Sequence, residues 1–137
     1  DVAEVRIGMS SIYIAGIDDV GNGYPGLKGV AKQTDVSDYV IFLSHSPAVI
    51  EDALTARDRN SRKDWFDLGL FGHTHGGQIA ILGPLLKDDG VPNKYTSGWF
   101  RHNRTDMLVS RGVGTSGIPV RFLCQPQIHL ITVNTAK

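Results

Sequence analysis

Residues 39–56 read YVIFLSHSPAVIEDALTA, and residues 65–75 read WFDLGLFGHTH. The apolar run at residues 39–43 shows no alternation, which is typical of a strand covered on both faces. A Ser-Pro pair then offers a helix start, and apolar residues at i, i+3, i+4 spacing predict a helix over residues 47–56. A second apolar run ends at Phe71, so the two stretches predict a β-α-β unit with parallel strands.

Short β-prone runs outside this unit predict hairpins and further strands. A Gly/Ser break separates residues 5–7 from residues 12–17, and this pattern predicts a hairpin. We expect a short helix near residues 27–32 and a long irregular loop, bordering a substrate cleft, from Pro84 to Thr105. Further strands are predicted at residues 78–82, 107–110, 120–123 and 128–133. The fold class is therefore α/β, a mixed sheet with a β-α-β unit plus hairpins.

The composition excludes several classes of protein. The chain has 137 residues, with 14 Lys and Arg against 14 Asp and Glu, so its charge does not favour a nucleic-acid partner. Hydrophobic residues make up 41%, which is enough for one buried core. The longest apolar run has five residues, so no transmembrane segment is predicted. A single cysteine, Cys124, excludes an internal disulfide.

Three histidines follow the two predicted parallel strands. His45 comes just after the first strand, and His73 and His75 come just after the second. The carboxyl ends of parallel strands share one edge of a sheet, which is the usual ligand crevice. Imidazole is a common ligand of zinc, manganese and iron, so His45, His73 and His75 predict a metal site at this edge.

Other interpretations of these polar residues stay open. An isolated His-x-His pair is more often a pair of loop histidines, and three imidazoles suffice for one zinc ion. Two adjacent cations normally need carboxylates, and Asp18 and Asp19 are better explained as turn or capping residues. Arg111 and Arg121 are interpreted as solvated surface residues, with phosphate contact as the alternative.

The sequence Leu43-Ser-His45-Ser-Pro47, followed by Leu70-Phe-Gly-His-Thr-His75-Gly-Gly-Gln78, resembles the last two motifs of the calcineurin-like metallophosphoesterases. The string GHTHGGQ is similar to that of a small bacterial phosphohydrolase subgroup. Matches at residues 14–19, 95–99 and 110–117 extend the resemblance over nearly the whole chain.

The resemblance implies a fold, a ligand set and an activity. It implies that residues 1–137 form the C-terminal half of a four-layer α/β/β/α sandwich, because the DxH, GDxxD and GNH motifs of the family do not occur here. By resemblance, His45 and His73 bind one of two divalent metal ions and His75 binds the other. Those ions would be Mn, Zn, Fe or Ni. The substrate would be a phosphomonoester or a phosphodiester.

Two functional hypotheses follow. In the first, the full-length protein is a dinuclear phosphoester hydrolase, and this chain alone is inactive because it lacks the bridging carboxylate. In the second, the chain is a non-catalytic module, either a three-histidine zinc site or a scaffold for partners. Half a core would leave one sheet face exposed, so we also expect a homodimer through that face.

Overall fold

The computed structural model describes residues 1–21, 23, 25–79 and 90–134. Within these ranges the chain forms six strands and two short α-helices. In chain order they are β1 (Val2–Ile7), β2 (Ser10–Gly16), α1 (Leu27–Ala31), β3 (Tyr39–Ser44), α2 (Ile50–Thr55), β4 (Leu68–Phe71), β5 (Gly98–His102) and β6 (Thr105–Val109).

The six strands form one mixed sheet in the order β1-β2-β3-β4-β6-β5. The central strands β2, β3, β4 and β6 are parallel, and β1 and β5 pair antiparallel at the two edges. The crossover between β3 and β4 contains α2, preceded by a 3-10 turn at Pro47–Val49. The predicted α/β class, mixed sheet, β-α-β unit and amino-terminal hairpin are therefore confirmed.

The structure corrects the prediction of an irregular stretch before Thr105. Residues 98–102 form β5, which pairs with β6 across a two-residue turn. Asn103 occupies the left-handed region at φ 53°, which asparagine tolerates and which suits tight hairpin turns. Residues 84–89 of that stretch lie outside the described part of the chain.

Two strands predicted near the carboxyl end are also wrong. Residues 120–123 form no strand, although Phe122 makes an isolated bridge to Ile79. Residues 128–133 are not a strand either, and Ile128 and Leu130 are 89% and 96% exposed. An alternating pattern needs a neighbouring strand to pair with, and the described ranges place none beside this segment. Residues 80–82 of the strand predicted at 78–82 lie outside the described ranges.

One face of the sheet packs against the helices and the segment before β4. Phe42 on β3 is fully buried, and its ring meets those of Trp65, Phe66 and Phe71 at centroid distances of 5.0, 5.3 and 5.9 Å. Ile50 of α2 is also fully buried in this cluster. The core therefore fixes the crossover, and with it the ends of β3 and β4.

The opposite face of the sheet is apolar and less covered. Alternation along β3 places Tyr39 and Leu43 on this face, and each is 37% exposed. Leu68 and Leu108 are buried but do not belong to the core cluster on the helical side. On the edge strand β5, Trp99 pairs with Leu108 and is 57% exposed. The described residues thus cover the two faces unequally.

The amino ends of the parallel strands are joined by a network of ion pairs. Asp58 is 1% exposed, accepts from the backbone N–H of Val36 at 3.0 Å, and pairs with Arg62 at 3.1 Å. Arg62 also pairs with Asp35, which in turn pairs with Arg59 at 3.1 Å. This network links the segment before β3 to the crossover that leads to β4.

Candidate metal centre

His45 and His73 lie at the carboxyl ends of neighbouring parallel strands. Ser44 is paired with Phe71 at the last position of the β3–β4 ladder, and His45 follows directly. The backbone N–H of Gly72 then donates to the carbonyl of His45 at 2.9 Å, which extends the ladder by one further bond. The parallel register therefore places the two histidines side by side.

The two imidazoles are in direct contact. The distance between Nε2 of His45 and Nδ1 of His73 is 3.1 Å, and the ring centroids are 4.9 Å apart at an interplanar angle of 71°. Two nitrogen ligands on one tetrahedral cation, each at about 2.0–2.1 Å, lie about 3.3 Å apart. The separation therefore fits either a hydrogen bond between neutral rings or two ligands of a shared cation.

The third predicted ligand is placed differently. The His75 imidazole contacts the side chain of Gln78, with Nδ1 and Oε1 3.3 Å apart. Among the residues that the structure describes, no group of three or more His, Cys, Asp or Glu side chains could hold a metal ion. The structure thus brings His45 and His73 together, and the role of His75 as a ligand stays a prediction.

The backbone of the GHTHGGQ turn is not extended between His73 and His75. The φ angles of His73, His75 and Gln78 are 67°, 49° and 52°, in the left-handed region that residues other than glycine rarely adopt. Gly76 also has a positive φ, at 65°. The chain therefore curls, and the alternation of sides found along a strand does not apply to these two histidines. Strained residues of this kind cluster at functional sites.

A hydrogen bond from Thr74 joins this turn to the segment before β5. Thr74 Oγ1 donates to the carbonyl of Thr96 at 2.6 Å and accepts from the backbone N–H of Gly76 at 3.2 Å. The neighbouring residue Tyr95 is buried and donates to Glu51 of α2 at 3.0 Å. The segment at residues 93–96 is thereby held between the turn and the crossover helix.

The side chain of Arg121 donates hydrogen bonds to several backbone carbonyls. Its guanidinium donates to the carbonyls of Arg111 at 2.7 Å, Gly114 at 2.8 Å and His75 at 3.3 Å. The thiol of Cys124 donates to the same His75 carbonyl at 3.1 Å. These contacts tie residues 111–124 to the histidine turn, so the expectation of a solvated Arg121 is corrected.

Asp18 and Asp19 follow β2 at the same edge of the sheet. Asp18 Oδ1 accepts from the backbone N–H of Asp19 at 2.8 Å, and Asp19 Oδ1 accepts from Gly21 at 2.9 Å. Both contacts are local and typical of turns. They match the interpretation of this pair as turn residues.

Comparison with known proteins connects this geometry to a family. The chain is 34% identical over 130 residues to an uncharacterised metallophosphoesterase, YkuE, of Bacillus subtilis, covering 93% of this chain and 42% of that protein. It is 31% identical over 138 residues to an uncharacterised metallophosphoesterase of Aquifex aeolicus, covering 89% and 45%. It is 33% identical over 73 residues to the phosphodiesterase YaeI of Escherichia coli, covering 51% and 26%. No family model and no solved structure matches the chain.

These similarities confirm the resemblance stated from the motifs: the chain is related to the metallophosphoesterases over nearly its whole length. It spans less than half the length of the first two relatives, at 42% and 45%. None of the helices in the described ranges has the length and apolar character needed to cross a bilayer.

Gln78 has structural contacts that its position in the sequence motif does not indicate. Gln78 is the last residue of GHTHGGQ, is 3% exposed and makes side-chain contacts to residues far along the chain. A polar residue directly after two glycines in a histidine-rich turn was the available signal. Its partners, residues 116–118, could be identified only from the fold.

Proposed function

We propose that this chain supplies metal-binding imidazoles to a divalent-metal-dependent phosphoester hydrolase. The observation that carries the proposal is the 3.1 Å contact between Nε2 of His45 and Nδ1 of His73. The relatives named metallophosphoesterases support the reaction class. Residues 1–137 then form the carboxyl-terminal part of one catalytic domain, and the rest of the parent protein supplies the remaining ligands.

His45 and His73 hold the first cation in this proposal, and His75 holds a second one. Two imidazoles are neutral ligands, so they do not offset the charge of two dications, and carboxylates are required as well. We therefore propose that this chain alone is inactive.

The chemistry follows from these ligands. When bound, divalent cations lower the pKa of a coordinated water and offset charge on a phosphoryl oxygen. The protein's own contribution is to fix the two imidazoles on the rigid ends of β3 and β4, where the crossover core holds both strands. Segments 93–96 and 111–124 border the same turn, so we expect them to contact the substrate.

Phosphodiesters are the first substrates to test. One relative is named a phosphodiesterase, and the proposal extends that activity to the parent of this chain. Zinc, manganese, iron and nickel are all compatible with imidazole ligands. The identity of the bound metal therefore depends on which metal is available in the cell as well as on the ligands.

The test measures bound metal per chain by elemental analysis after dialysis against each of these cations. We expect at most one cation per wild-type chain and a loss of binding in His45→Ala and in His73→Ala. The matched control is His102→Ala, because His102 is exposed on β5 and lies outside the turn. Equal binding by wild type, His45→Ala and His73→Ala would overturn the ligand assignment.

A second experiment tests catalysis. The chain is assayed with bis-p-nitrophenyl phosphate alone and after coexpression with the preceding part of its parent reading frame. We expect hydrolysis only from the complemented protein, and we expect it to be lost in His73→Ala. Metal binding without hydrolysis in the complemented protein would instead favour a non-catalytic module.

A further inference from the structure

Gln78 is a buried amide whose orientation is fixed by backbone groups. Its Nε2 donates to the carbonyls of Ser116 at 3.1 Å and Ile118 at 2.7 Å. Its Oε1 accepts from the backbone N–H of Ser116 at 2.7 Å. Backbone carbonyls can only accept and backbone N–H groups can only donate, so the amide cannot be turned over without breaking all three bonds.

The fixed amide determines which nitrogen of His75 carries the proton. Oε1 of Gln78 is 3.3 Å from Nδ1 of His75, and this oxygen has no hydrogen to donate. Nδ1 of His75 must therefore be the donor. In the neutral ring the lone pair then lies on Nε2, the nitrogen on the opposite side from Gln78.

We propose that Gln78 is a positioning residue that holds His75 in the Nδ1–H form and so presents Nε2 as its metal-binding nitrogen. The part that concerns metal rests on the proposed function, whereas the tautomer does not. Groups that accept from the second nitrogen of a metal-binding histidine set its tautomer and its orientation.

The same amide also couples the histidine to the loop at residues 116–118. Gln78 bonds to the carbonyls of Ser116 and Ile118 and to one N–H of this loop, and Arg121 independently donates to the carbonyl of His75. Displacing the loop would therefore remove the restraint that Gln78 places on the imidazole. Ser116 and Gly117 of this loop are exposed to solvent.

The first test reads the tautomer directly in the metal-free chain. Long-range proton–nitrogen correlation spectra, recorded about two pH units above the ordinary histidine pKa of about 6.5, distinguish protonated from unprotonated ring nitrogens. We expect protonated Nδ1 and unprotonated Nε2 for His75, with the signals assigned by their loss in His75→Asn. Protonated Nε2 in the wild-type chain would overturn the inference.

Variants of Gln78 separate positioning from folding. Gln78→Met keeps the approximate shape and removes the acceptor, so we expect His75 to lose its Nδ1–H form. Gln78→Glu keeps an acceptor for Nδ1 and loses the two donors to the loop, so we expect it to keep the tautomer. Gln33→Met is the matched control, because Gln33 is exposed beside α1 and bonds to Gly29. An unchanged tautomer in folded Gln78→Met would overturn the role of Gln78.

Zinc added to the complemented protein, in which the remaining ligands of the second cation are present, tests the metal-binding part. We expect the Nε2 signal of His75 to shift on zinc binding, with an affinity about 10–100-fold weaker in Gln78→Met than in wild type. If His75 shows the expected tautomer and its Nε2 signal does not respond to zinc, the proposed ligand role fails while the tautomer assignment stands. Equal zinc affinities despite a changed tautomer would overturn the link between Gln78 and metal binding.

Discussion

The indole Nε1 of Trp65 donates a hydrogen bond to the carbonyl of Ala53 at 2.8 Å. This bond joins the segment before β4 to α2, the crossover helix. Trp65 is 1% exposed, and its ring meets Phe42 and Phe66 at 5.0 Å each. One residue thus fixes the helix, the central strand β3 and the approach to β4, on which the positions of His45 and His73 depend.

Replacing this tryptophan is expected to destabilise the chain. Trp65→Phe removes the hydrogen bond and leaves unfilled volume, which should lower the free energy of unfolding by about 1–3 kcal/mol. Trp99→Phe is the control, because Trp99 is 57% exposed and should change stability by less than about 0.5 kcal/mol. Urea denaturation measures both values, and equal effects would contradict the assigned contribution of Trp65.

Gly76 cannot accept a larger side chain without local rearrangement. A Cβ at this position would lie 2.6 Å from Cγ of Arg111 and 2.8 Å from Sγ of Cys124, at a φ of 65°. We expect Gly76→Ala to destabilise the chain by about 1–3 kcal/mol and to displace His75. Gly114→Ala is the control, since no atom lies within 4 Å of its Cβ position. Thermal unfolding of the two variants should differ clearly, and matching midpoints would refute the steric argument.

The ion-pair network at the amino ends of the strands makes stability depend on acid pH. The backbone N–H and hydroxyl of Ser37, followed by Arg59 and the charge of Arg62, hold the pKa of Asp35 well below its ordinary value. Burial raises the pKa of Asp58, but backbone N–H donors, with that of Arg62 first, lower it below its ordinary value overall.

Both carboxyls therefore bind protons more weakly in the folded chain than in the unfolded chain. Their stabilisation is fully present above the unfolded pKa of about 4 and is lost as the pH falls through the folded values. The measurement is the urea midpoint from about pH 6 down to about pH 2.5. We expect Asp35→Asn to lower the urea midpoint at neutral pH. We also expect its midpoint to decrease less than that of the wild type between about pH 6 and about pH 2.5. An acid dependence identical to wild type would exclude Asp35 as a contributor.

The partly covered sheet face is expected to drive self-association of this chain. Tyr39 and Leu43 are each 37% exposed on that face, and an exposed apolar sheet surface favours association. Sedimentation velocity should show concentration-dependent dimers or larger species, reduced in Leu43→Lys. Val113→Lys adds the same charge at a residue that is 65% exposed away from the sheet, and it should leave association unchanged. A monodisperse wild-type monomer would contradict this expectation.

The central sheet was predictable because buried parallel strands have a distinctive sequence. Residues 39–43 form an unbroken apolar run, and a capped amphipathic stretch follows it, so β3 and α2 could be placed. The edge strand β5 could not be predicted from the sequence, because its residues are partly or fully exposed and its pairing depends on the turn at Asn103.

The candidate site was predictable in part for the same reason. Parallel strands end at a common edge, so the proximity of His45 and His73 followed from the topology. The direction of His75 depends on positive φ angles at residues other than glycine, which no residue pattern announces. Gln78 acts on Ile118, 40 positions away in sequence, and such pairs emerge only when the chain has folded.

The ion-pair network and the paired histidines lie at opposite ends of the parallel strands. Asp35, Asp58 and their arginines occupy the amino ends of the parallel strands, whereas His45 and His73 occupy the carboxyl ends. Substitutions that change the acid tolerance of the chain at the amino ends of the strands therefore leave the contact between His45 and His73 at the carboxyl ends in place. Conversely, a substitution at His45 or His73 leaves the ion pairs at the amino ends of the strands in place.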